Sequence, residues 1–466
     1  MKNHSNLKTL GELKDSGYNV TSVKKELRRN LITKIKAQED FCPDVKGFEN
    51  TVIPQLENAV LAGQDIILLG ERGQAKSRLI RNMVALLDEN IPTISGCDIN
   101  DNPFDPICLS CKEKLREFGN ETVIKWLSKE ERYSEKLATP DISVSDLIGE
   151  IDPIKVAEGR YLSDELTIHY GLIPRTNRGI FCINELPDLS ERIQVSLFNL
   201  MQERDIQIKG HKILLPLDVL IVSSANPEDY TNRGRIITPL KDRYGAQIRT
   251  HYPKIISEEI AIMEQEHTKF TDTSETVITP YYMKEIIAEF TALARRSSDI
   301  NQQSGVSLRV SIANFETILG AAFKRSFTQK GKVSPRISDL PNIASSTIGK
   351  FELETVEENQ EHRIVEDLTK AAILNIFSGY FKINDFSELI KQFEEGMEIM
   401  TGADLPSSHY VNSVANISTL QQHLDVLNCS SEPCEIASAV EFILEGLHLN
   451  KLINKDYTGR YASSLE

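Results

Sequence analysis

Apolar positions recur every three to four residues along most of the chain, and this helical pattern is interrupted by short apolar runs. Val23, Leu27, Leu31 and Ile35 are four apart on a basic segment, which predicts a surface helix docked by that stripe. A second helix is predicted to end near Gly63, and DIILLG (65–70) predicts a buried strand that ends in glycine. The predicted order is helix, strand, glycine-bearing loop, helix.

Further apolar runs at 179–186, 205–210, 212–217 and 218–226 predict strands around an amphipathic helix at 190–204. The stretch 95–140 breaks this rhythm, and we interpret it as a helical insertion. From about residue 256 the periodicity is helical almost throughout. The predicted fold class is α/β, with a parallel sheet between helical layers, followed by an all-α domain.

These patterns divide the chain into four parts. Residues 1–44 form an N-terminal helical segment, 45–255 an α/β core that carries the insertion, 256–380 a helical domain, and 381–466 a C-terminal helical region of unknown role. A length of 466 residues accommodates this number of domains.

Composition and charge narrow the class of protein to which the chain can belong. With 40% apolar and 26% charged residues, the chain should fold around a substantial core. The formal net charge of −15 disfavours broad adhesion to nucleic acid or anionic membrane. No apolar run is long enough for a membrane span and the N-terminus lacks a secretory core, so we expect a cytoplasmic protein without membrane insertion. Seven scattered cysteines favour reduced thiols.

The loop after the first predicted strand fits the phosphate-binding pattern G-x-x-x-x-[GA]-K-[ST]. Successive N–H groups of such a loop point at phosphate oxygens, the lysine neutralises the β/γ charge and the hydroxyl coordinates Mg²⁺. Lys76 and Ser77 supply these last two groups. Ala75 replaces the second glycine, which requires a negative φ at that position. The predicted nucleotide-binding residues are Gly70, Glu71, Arg72, Gly73, Gln74, Ala75, Lys76, Ser77 and Arg78.

Polar residues end two later strands. Glu185 stands where a nucleotide hydrolase needs a carboxylate to polarise water, and Asn184 stands where an acid usually orients Mg²⁺. We expect the Asn184 amide oxygen to accept from a metal-bound water. Asn226 is predicted to hold the attacking water or the γ-phosphate. Arg243, at a helix end, is a candidate stabiliser of transition-state charge.

Three cysteines in the insertion, Cys97, Cys108 and Cys111, form a C-x10-C-x2-C pattern. Zinc usually takes four nitrogen or sulfur ligands, and C-x2-C is half of such a site. No fourth cysteine or histidine lies nearby in sequence, so His169 or Cys182 would have to approach through folding. The alternative is a set of unligated thiols in a partly buried insert.

Together these motifs resemble AAA+ ATPases, and more narrowly the branch of the magnesium-chelatase I subunit and the MoxR proteins. The strings GERGQAKSRL, IHYGLIPRTNRGIFCINELPDL and SANPEDYTNRGRIITPLKDRYG are similar to a bacterial magnesium-chelatase-like subgroup in which Ala75 and Asn184 are usual. The resemblance implies an AAA+ P-loop core with a helical lid at 256–380. It also implies that Asn226 is sensor 1, that Arg243 is a trans-acting arginine finger, and that Arg309 is the sensor 2 arginine of the lid.

The resemblance further implies an oligomeric ring, expected to be a hexamer, with ATP and Mg²⁺ between subunits and a von Willebrand A domain protein as partner. The hairpin predicted at 203–214 looks like the family's insertion toward the ring pore or partner. The leading hypothesis is an ATPase that remodels a partner protein. Alternatives are a slow-hydrolysing, ATP-switched binding module, which Asn184 favours, or a true metal-chelatase motor; the acidic balance disfavours a nucleic-acid motor.

Overall fold

The computed structural model describes residues 6–152, 154, 167–203, 206–208, 211–213, 215–226, 234–302, 305–329, 331–353, 360–415, 417–429 and 432–463. The chain divides into two compact units, residues 1–251 and 252–466. Among the described residues, no helix combines the length and the apolar character required to cross a bilayer.

The strands of the first unit, with the two short strands of a hairpin, are β1 (Ile66–Leu69), β2 (Asn90–Ile94), β3 (Ile124–Ser128), β4 (Tyr133–Leu137), β5 (Gly149–Ile151), β6 (Ile168–Tyr170), β7 (Gly179–Asn184), β8 (Ile206–Ile208), β9 (His211–Ile213), β10 (Val219–Ala225) and β11 (Ala246–Arg249). Its α-helices are α1 (Leu10–Asp15), α2 (Val23–Ala37), α3 (Val52–Ala62), α4 (Lys76–Asn82), α5 (Leu109–Phe118), α6 (Val144–Leu147), α7 (Leu172–Arg175), α8 (Glu191–Glu203) and α9 (Thr238–Arg243).

The α-helices of the second unit are α10 (Ile256–Glu266), α11 (Thr271–Thr276), α12 (Tyr281–Ala294), α13 (Leu308–Ser326), α14 (Ala344–Thr347), α15 (Gln360–Tyr380), α16 (Ser387–Glu394), α17 (Ser407–Ala415), α18 (Ser418–Val426) and α19 (Pro433–Leu449). Its strands are β12 (Ile399–Met400), β13 (Asn454–Lys455) and β14 (Arg460–Ala462). Short 3₁₀ helices cover Met83–Leu86, Gly119–Glu121, Glu130–Arg132, Leu186–Asp188, Ile337–Ile343 and Ile383–Phe386.

A five-stranded parallel sheet organises the first unit, in the order β11-β1-β10-β7-β4. Strands β7 and β10 are buried almost throughout, because helices cover both faces of the sheet and the sequence there is nearly continuously apolar. The predicted α/β fold class is confirmed. Since parallel strands point the same way, the polar residues that follow β1, β7 and β10 meet at one edge.

The N-terminal segment is part of this core. Val23, Leu27 and Leu31 of α2 are buried against the sheet's helical layer, whereas Ile35 is 44% exposed. The predicted stripe therefore docks through its first three members. The side chains of Glu26 and Arg132 form a buried ion pair with two nitrogen–oxygen distances of 2.7 Å.

The prediction of a helical insertion at 95–140 is wrong beyond Phe118. Residues 124–128 form β3, antiparallel to β2, and residues 133–137 form β4, the edge strand of the main sheet. In β3 Ile124 and Leu127 are buried, Trp126 is half-buried and Lys125 is exposed. The neighbouring charged residues had produced a helix-like spacing.

The second unit is mostly helical, as predicted. One hydrophobic core runs from Ile260 to Tyr461, so the predicted segments 256–380 and 381–466 pack around the same centre. Phe442 of α19 stacks on Tyr282 of α12 with ring centroids 4.6 Å apart. The described part of this unit also contains a small antiparallel sheet, β12-β14-β13.

Candidate functional site

The loop between β1 and α4 is shaped by close approaches that only glycine allows. The N–H of Gly70 donates to the Ala225 carbonyl at 3.1 Å. A Cβ built on Gly70 would lie 1.8 Å from the Thr250 hydroxyl and 2.3 Å from the Gln74 amide oxygen. Gly73 has a φ of +75°. Both glycines of the motif are thus required by the backbone path.

Ala75 differs from expectation. Its φ is +52°, in the left-handed region, whereas a negative φ was expected because it accommodates the methyl group. This conformation costs an L-residue about 1 kcal/mol relative to glycine. Strain of this kind concentrates at functional loops, where the surrounding structure fixes the backbone.

Lys76 and Gln74 hold the loop together. Lys76 is 7% exposed, and its ammonium donates to the carbonyls of Gly70 and, at 2.9 Å, Glu71. The Gln74 amide oxygen accepts from the Glu71 N–H at 3.1 Å and from the Thr250 hydroxyl at 2.6 Å. A buried ammonium inside a loop of backbone groups suits phosphate binding, because it can exchange carbonyl contacts for phosphate oxygens.

The remaining loop residues have different surroundings. Ser77 is half-buried in the first turn of α4, and its role as a Mg²⁺ ligand stays a prediction. Arg78 donates to the Asp44 carbonyl at 3.3 Å and lies 3.7 Å from its carboxylate. Arg72 is exposed. Arg78 therefore anchors the helix to the preceding segment.

A cavity of about 380 Å³ opens beside the loop and includes two cations that sequence reasoning missed, Lys241 and Arg249. Arg249 ends β11, whose alternation of Ala246 and Ile248 with polar residues was the available signal. The cavity is lined by Leu69, Gly70, Glu71, Gln74, Lys241, Arg249 and Thr250.

Asn184 ends β7, and both its amide oxygen and its NH₂ group form hydrogen bonds. Its amide oxygen accepts from the Ser224 hydroxyl at 3.2 Å and the Cys182 thiol at 3.5 Å. Its NH₂ group donates to the Glu135 carboxylate on β4. A water-mediated contact from Asn184 to Mg²⁺ would have to share an oxygen that already has two donors.

Glu135 was missed by the sequence analysis because β4 was interpreted as helix. Its carboxylate also accepts from Arg81 of α4, at 2.9 and 3.1 Å, and from the Tyr133 hydroxyl at 2.9 Å. Burial raises the pKa of Glu135, but these hydrogen bonds together with that from Asn184 outweigh it and leave the pKa below its usual value. A carboxylate therefore lies one strand away from the position where the sequence lacks one.

Glu185 follows Asn184 with a φ of +55°, again in the left-handed region. Its N–H donates to the Ser224 hydroxyl at 3.3 Å, and one carboxylate oxygen is buried. Ser224 thus touches both residues at the end of β7. The left-handed conformation of Glu185 ends the extended backbone of β7.

Asn226 follows β10 and is 2% exposed. Its amide oxygen is buried and has no hydrogen-bond partner among the described residues. Buried polar atoms are nearly always paired, so an orphaned one marks a place where a ligand or water completes the site. The structure brings Asn226 to the sheet edge that also carries Gly70 and Asn184, as predicted from the strand pattern.

The two predicted arginines lie in different units. Arg243 is exposed at the end of α9, with its guanidinium 5.6 Å from the centroid of the Phe198 ring. Arg309 is exposed in the first turn of α13, in the second unit. The roles assigned to both stay predictions. The predicted hairpin exists as the antiparallel pair β8–β9, while its tip, Lys209 and Gly210, lies outside the described residues.

Folding brings the three cysteines of the insertion together and adds a residue that sequence reasoning missed. Sulfur atoms of Cys97, Cys108 and Cys111 and a carboxylate oxygen of Asp101 lie within 4.8 Å of one another. Neither suggested fourth ligand, His169 or Cys182, belongs to this group. Hydrogen bonds from the other two thiols lower the pKa of Cys97 well below its usual value.

This chain is similar in sequence to a known family and to several known proteins. A family model described as the Sigma-54 interaction domain matches residues 157–240. The magnesium-chelatase subunit ChlI of Bigelowiella natans is 23% identical over 231 residues, which cover 48% of this chain and 58% of that protein. The ChlI subunit of Nephroselmis olivacea is 24% identical over 298 residues, covering 60% of this chain and 78% of that protein. The chain thus spans less than two thirds of the Bigelowiella relative.

Among solved structures, a model of the complex between subunits BchI and BchD of magnesium chelatase covers 70% of this chain and 98% of that chain, with 19% identity and a TM-score of 0.33. This chain has an α/β core with a parallel sheet and a phosphate loop after β1, the arrangement of a P-loop fold. Its homologues are the ChlI subunits of magnesium chelatase, so the resemblance stated from the sequence is confirmed.

Proposed function

We propose that this chain is an ATPase that binds and hydrolyses Mg-ATP at the subunit interfaces of an oligomeric ring, a hexamer, and uses the cycle to remodel or activate a partner protein. The observation that carries the proposal is the meeting of three polar groups at one sheet edge: the phosphate loop after β1, Asn184 and Glu185 after β7, and Asn226 after β10.

The phosphate loop supplies binding. Loop N–H groups and the Lys76 ammonium hold the β- and γ-phosphates, and the Lys76 contacts to loop carbonyls are replaced by contacts to phosphate. The Ser77 hydroxyl coordinates Mg²⁺, which prefers hard oxygen ligands such as hydroxyl, carboxylate and phosphate. When bound, Mg²⁺ neutralises charge that develops on the transferred phosphoryl group.

Residues at the end of the sheet, after β7 and β10, catalyse hydrolysis. Glu185 polarises the attacking water, and the buried amide oxygen of Asn226 accepts a hydrogen bond from that water and orients it. Lys241 and Arg249 in the adjoining cavity add positive potential for the triphosphate. Glu185 thereby accepts the proton of the attacking water, and Asn226 positions that water.

Three further roles rest on the AAA+ resemblance. Arg243 reaches the ATP of the neighbouring subunit as an arginine finger, and Arg309 reports nucleotide state from the helical lid. The β8–β9 hairpin contacts the ring pore or the partner, which carries a von Willebrand A domain. The relatives are named as subunits of magnesium chelatase, so a metal-chelatase motor is the alternative use of the same cycle.

The geometry of Asn184 favours one other function, an ATP-switched binding module that hydrolyses slowly. Its amide oxygen is engaged by Ser224 and Cys182 and brings no charge to Mg²⁺. Occupancy rather than turnover would then set partner affinity. Phosphate release at saturating Mg-ATP, well above the concentration of ring assembly, separates the two functions.

The decisive experiment measures nucleotide binding and phosphate release on three variants. Lys76→Ala should lose ATP binding, because the backbone alone cannot neutralise the triphosphate. Glu185→Gln should bind ATP and lose turnover, since an amide accepts a hydrogen bond from water without polarising it. Lys370→Ala, which removes an exposed lysine paired with Glu366, is the matched control and should behave as the parent.

Each variant has a result that would contradict the role assigned to its residue. Unchanged ATP affinity in Lys76→Ala would overturn the site assignment. Undiminished phosphate release in Glu185→Gln would remove Glu185 from the catalytic role. Proteins that co-purify with ATP-trapped Glu185→Gln, and are absent from Lys76→Ala, identify the partner.

A further inference from the structure

The region that departs from the α/β rhythm contains a compact set of metal-binding side chains. Cys97 follows β2, Asp101 lies in the next turn, and Cys108 and Cys111 occupy the N-cap and first turn of α5. Their four ligand atoms lie within 4.8 Å of one another. None of these residues has a role in the proposed ATPase cycle.

We propose that Cys97, Asp101, Cys108 and Cys111 bind one structural Zn²⁺ ion. Tetrahedral zinc has bonds of about 2.3 Å to sulfur and about 2.0–2.2 Å to oxygen, which places its ligands about 3.5–3.8 Å from one another. The observed grouping fits this size with small side-chain adjustments. An iron–sulfur cluster would hold its four ligands farther apart, because each would bind a different iron atom.

The site is built in advance of the metal. Asp101 is 0% exposed, and Cys108 and Cys111 are buried. The Asp101 N–H donates to the Cys97 sulfur at 3.3 Å, and the Cys111 N–H donates to the Cys108 sulfur at 3.4 Å. Backbone donors of this kind stabilise thiolate over thiol, the form that binds metal.

Asp101 provides the independent sign of a missing partner. One carboxylate oxygen accepts from the Cys108 N–H at 3.0 Å, while the other is buried without a hydrogen-bond partner in the described part of the chain. A buried, half-satisfied carboxylate is costly unless a cation completes it. The sulfur-rich surroundings make that cation a thiophilic one, since three thiolates select zinc over Mg²⁺ or Ca²⁺.

The surroundings point to a structural role. Four protein ligands close the coordination sphere, as in structural rather than catalytic zinc sites. Asn177 donates to the Ile99 carbonyl at 3.0 Å, and Asn100 donates to the Arg175 carbonyl at 2.7 Å. The metal-bearing turn is thereby fastened to the segment that immediately precedes β7. Zinc holds this turn against the segment that leads into β7, the strand that Glu185 follows.

The test is zinc content, measured by elemental analysis on full-length protein purified without a metal-affinity step. The parent should contain about one zinc per chain. Asp101→Asn, which keeps the shape and removes the charge, should lower zinc affinity at least about tenfold in competition with a chromophoric chelator. Cys111→Ser should lose most of the zinc. Cys429→Ser, at a half-buried thiol of the second unit, should keep it.

A second measurement on the parent avoids dependence on folded variants. Co²⁺ exchanged into the site should give thiolate-to-cobalt charge-transfer bands and the visible bands of a tetrahedral ion. The proposal is overturned if the parent protein is free of zinc after growth in zinc-supplemented medium and takes up no Co²⁺. In that case Cys97, Cys108 and Cys111 would be found as three titratable thiols or would include a disulfide. Unchanged zinc affinity in a folded Asp101→Asn variant would remove Asp101 as a ligand and overturn the four-ligand site.

Discussion

The side-chain amide of Asn184 donates a hydrogen bond to Glu135, a carboxylate on the neighbouring strand β4. The same carboxylate pairs with Arg81 of α4, the helix that begins in the phosphate loop. A polar connection therefore runs from the phosphate-loop helix through Glu135 to the end of β7. The negative charge expected at residue 184 is found one strand away.

Asn184→Asp should consequently impair the site. The substitution removes the donor to Glu135 and places two carboxylates in hydrogen-bond contact, which disfavours ionisation of both. We expect the free energy of unfolding in urea to fall by roughly 1–3 kcal/mol and phosphate release to slow. Adding Glu135→Gln to Asn184→Asp restores a donor and an acceptor in reversed order and should recover part of the stability. Faster hydrolysis in a stable Asn184→Asp variant would show instead that charge at residue 184 was limiting.

Glu135 should also contribute to acid sensitivity. Its pKa in the folded protein is below the usual value of 4.5, since the hydrogen bonds from Arg81, Tyr133 and Asn184 outweigh burial. A depressed carboxyl pKa stabilises the fold above pH 4.5 and loses that contribution as the pH falls through the folded pKa. Glu135→Gln should therefore lose less stability than the parent between about pH 5 and pH 3 in urea titrations. Parallel pH curves for the two proteins would contradict this assignment, and Glu366→Gln at an exposed pair is the control.

Ala75→Gly should relieve strain in the phosphate loop. Ala75 has a φ of +52°, where glycine is favoured by about 1 kcal/mol, so the variant should be up to about 1 kcal/mol more stable and should still bind ATP. Ala62→Gly, at the exposed C-terminal residue of α3, should lose about 0.5–1 kcal/mol. Equal losses in the two variants would mean that the left-handed conformation of Ala75 carries no strain in solution.

The sequence allowed prediction of whatever depends on local pattern. The apolar runs located β1, β7 and β10, and the rule that parallel strands end at one edge brought Lys76, Asn184 and Asn226 together. Two contacts that decide the chemistry are non-local and could not be read from spacing. Glu135 meets Asn184 across 49 residues, and a carboxylate oxygen of Asp101 meets three sulfurs only after the turn folds. The short strands β3 and β4 were missed because charged residues imitate a helical period.

The buried pair of Glu26 and Arg132 should be a major determinant of stability. Arg132 is 1% exposed, donates through two nitrogens to Glu26 and through its Nε to the Arg178 carbonyl at 2.8 Å. Glu26→Gln leaves a buried guanidinium without its counter-charge and should cost about 3–5 kcal/mol in urea unfolding. Lys370→Ala at an exposed pair should change stability by less than about 0.5 kcal/mol. Similar small losses in both variants would show that α2 is not integrated with the sheet.

The proposed role of Arg243 between subunits can be tested by mixing two inactive proteins. Arg243 is exposed at the end of α9, against the Phe198 ring, and a ring places one subunit's surface against the next subunit's site. Arg243→Ala alone should bind ATP and hydrolyse it about 10³-fold or more slowly, as other arginine fingers do. Glu185→Gln is expected to be inactive for a different reason, the loss of water activation.

In mixed rings some interfaces combine an intact Glu185 on one subunit with an intact Arg243 on its neighbour, so phosphate release should partly return. If Arg243 served the site of its own subunit, every site in the mixture would still carry one substitution and none would recover. Co-assembly is verified by sizing the mixture in the presence of ATP, and Lys76→Ala mixed with Glu185→Gln is the control. Each of those two changes disables the site of the subunit that carries it, whichever subunit supplies Arg243, so no site in that mixture is intact and none should recover. Absence of recovery at every mixing ratio, with co-assembly verified, would remove the intersubunit finger from the mechanism.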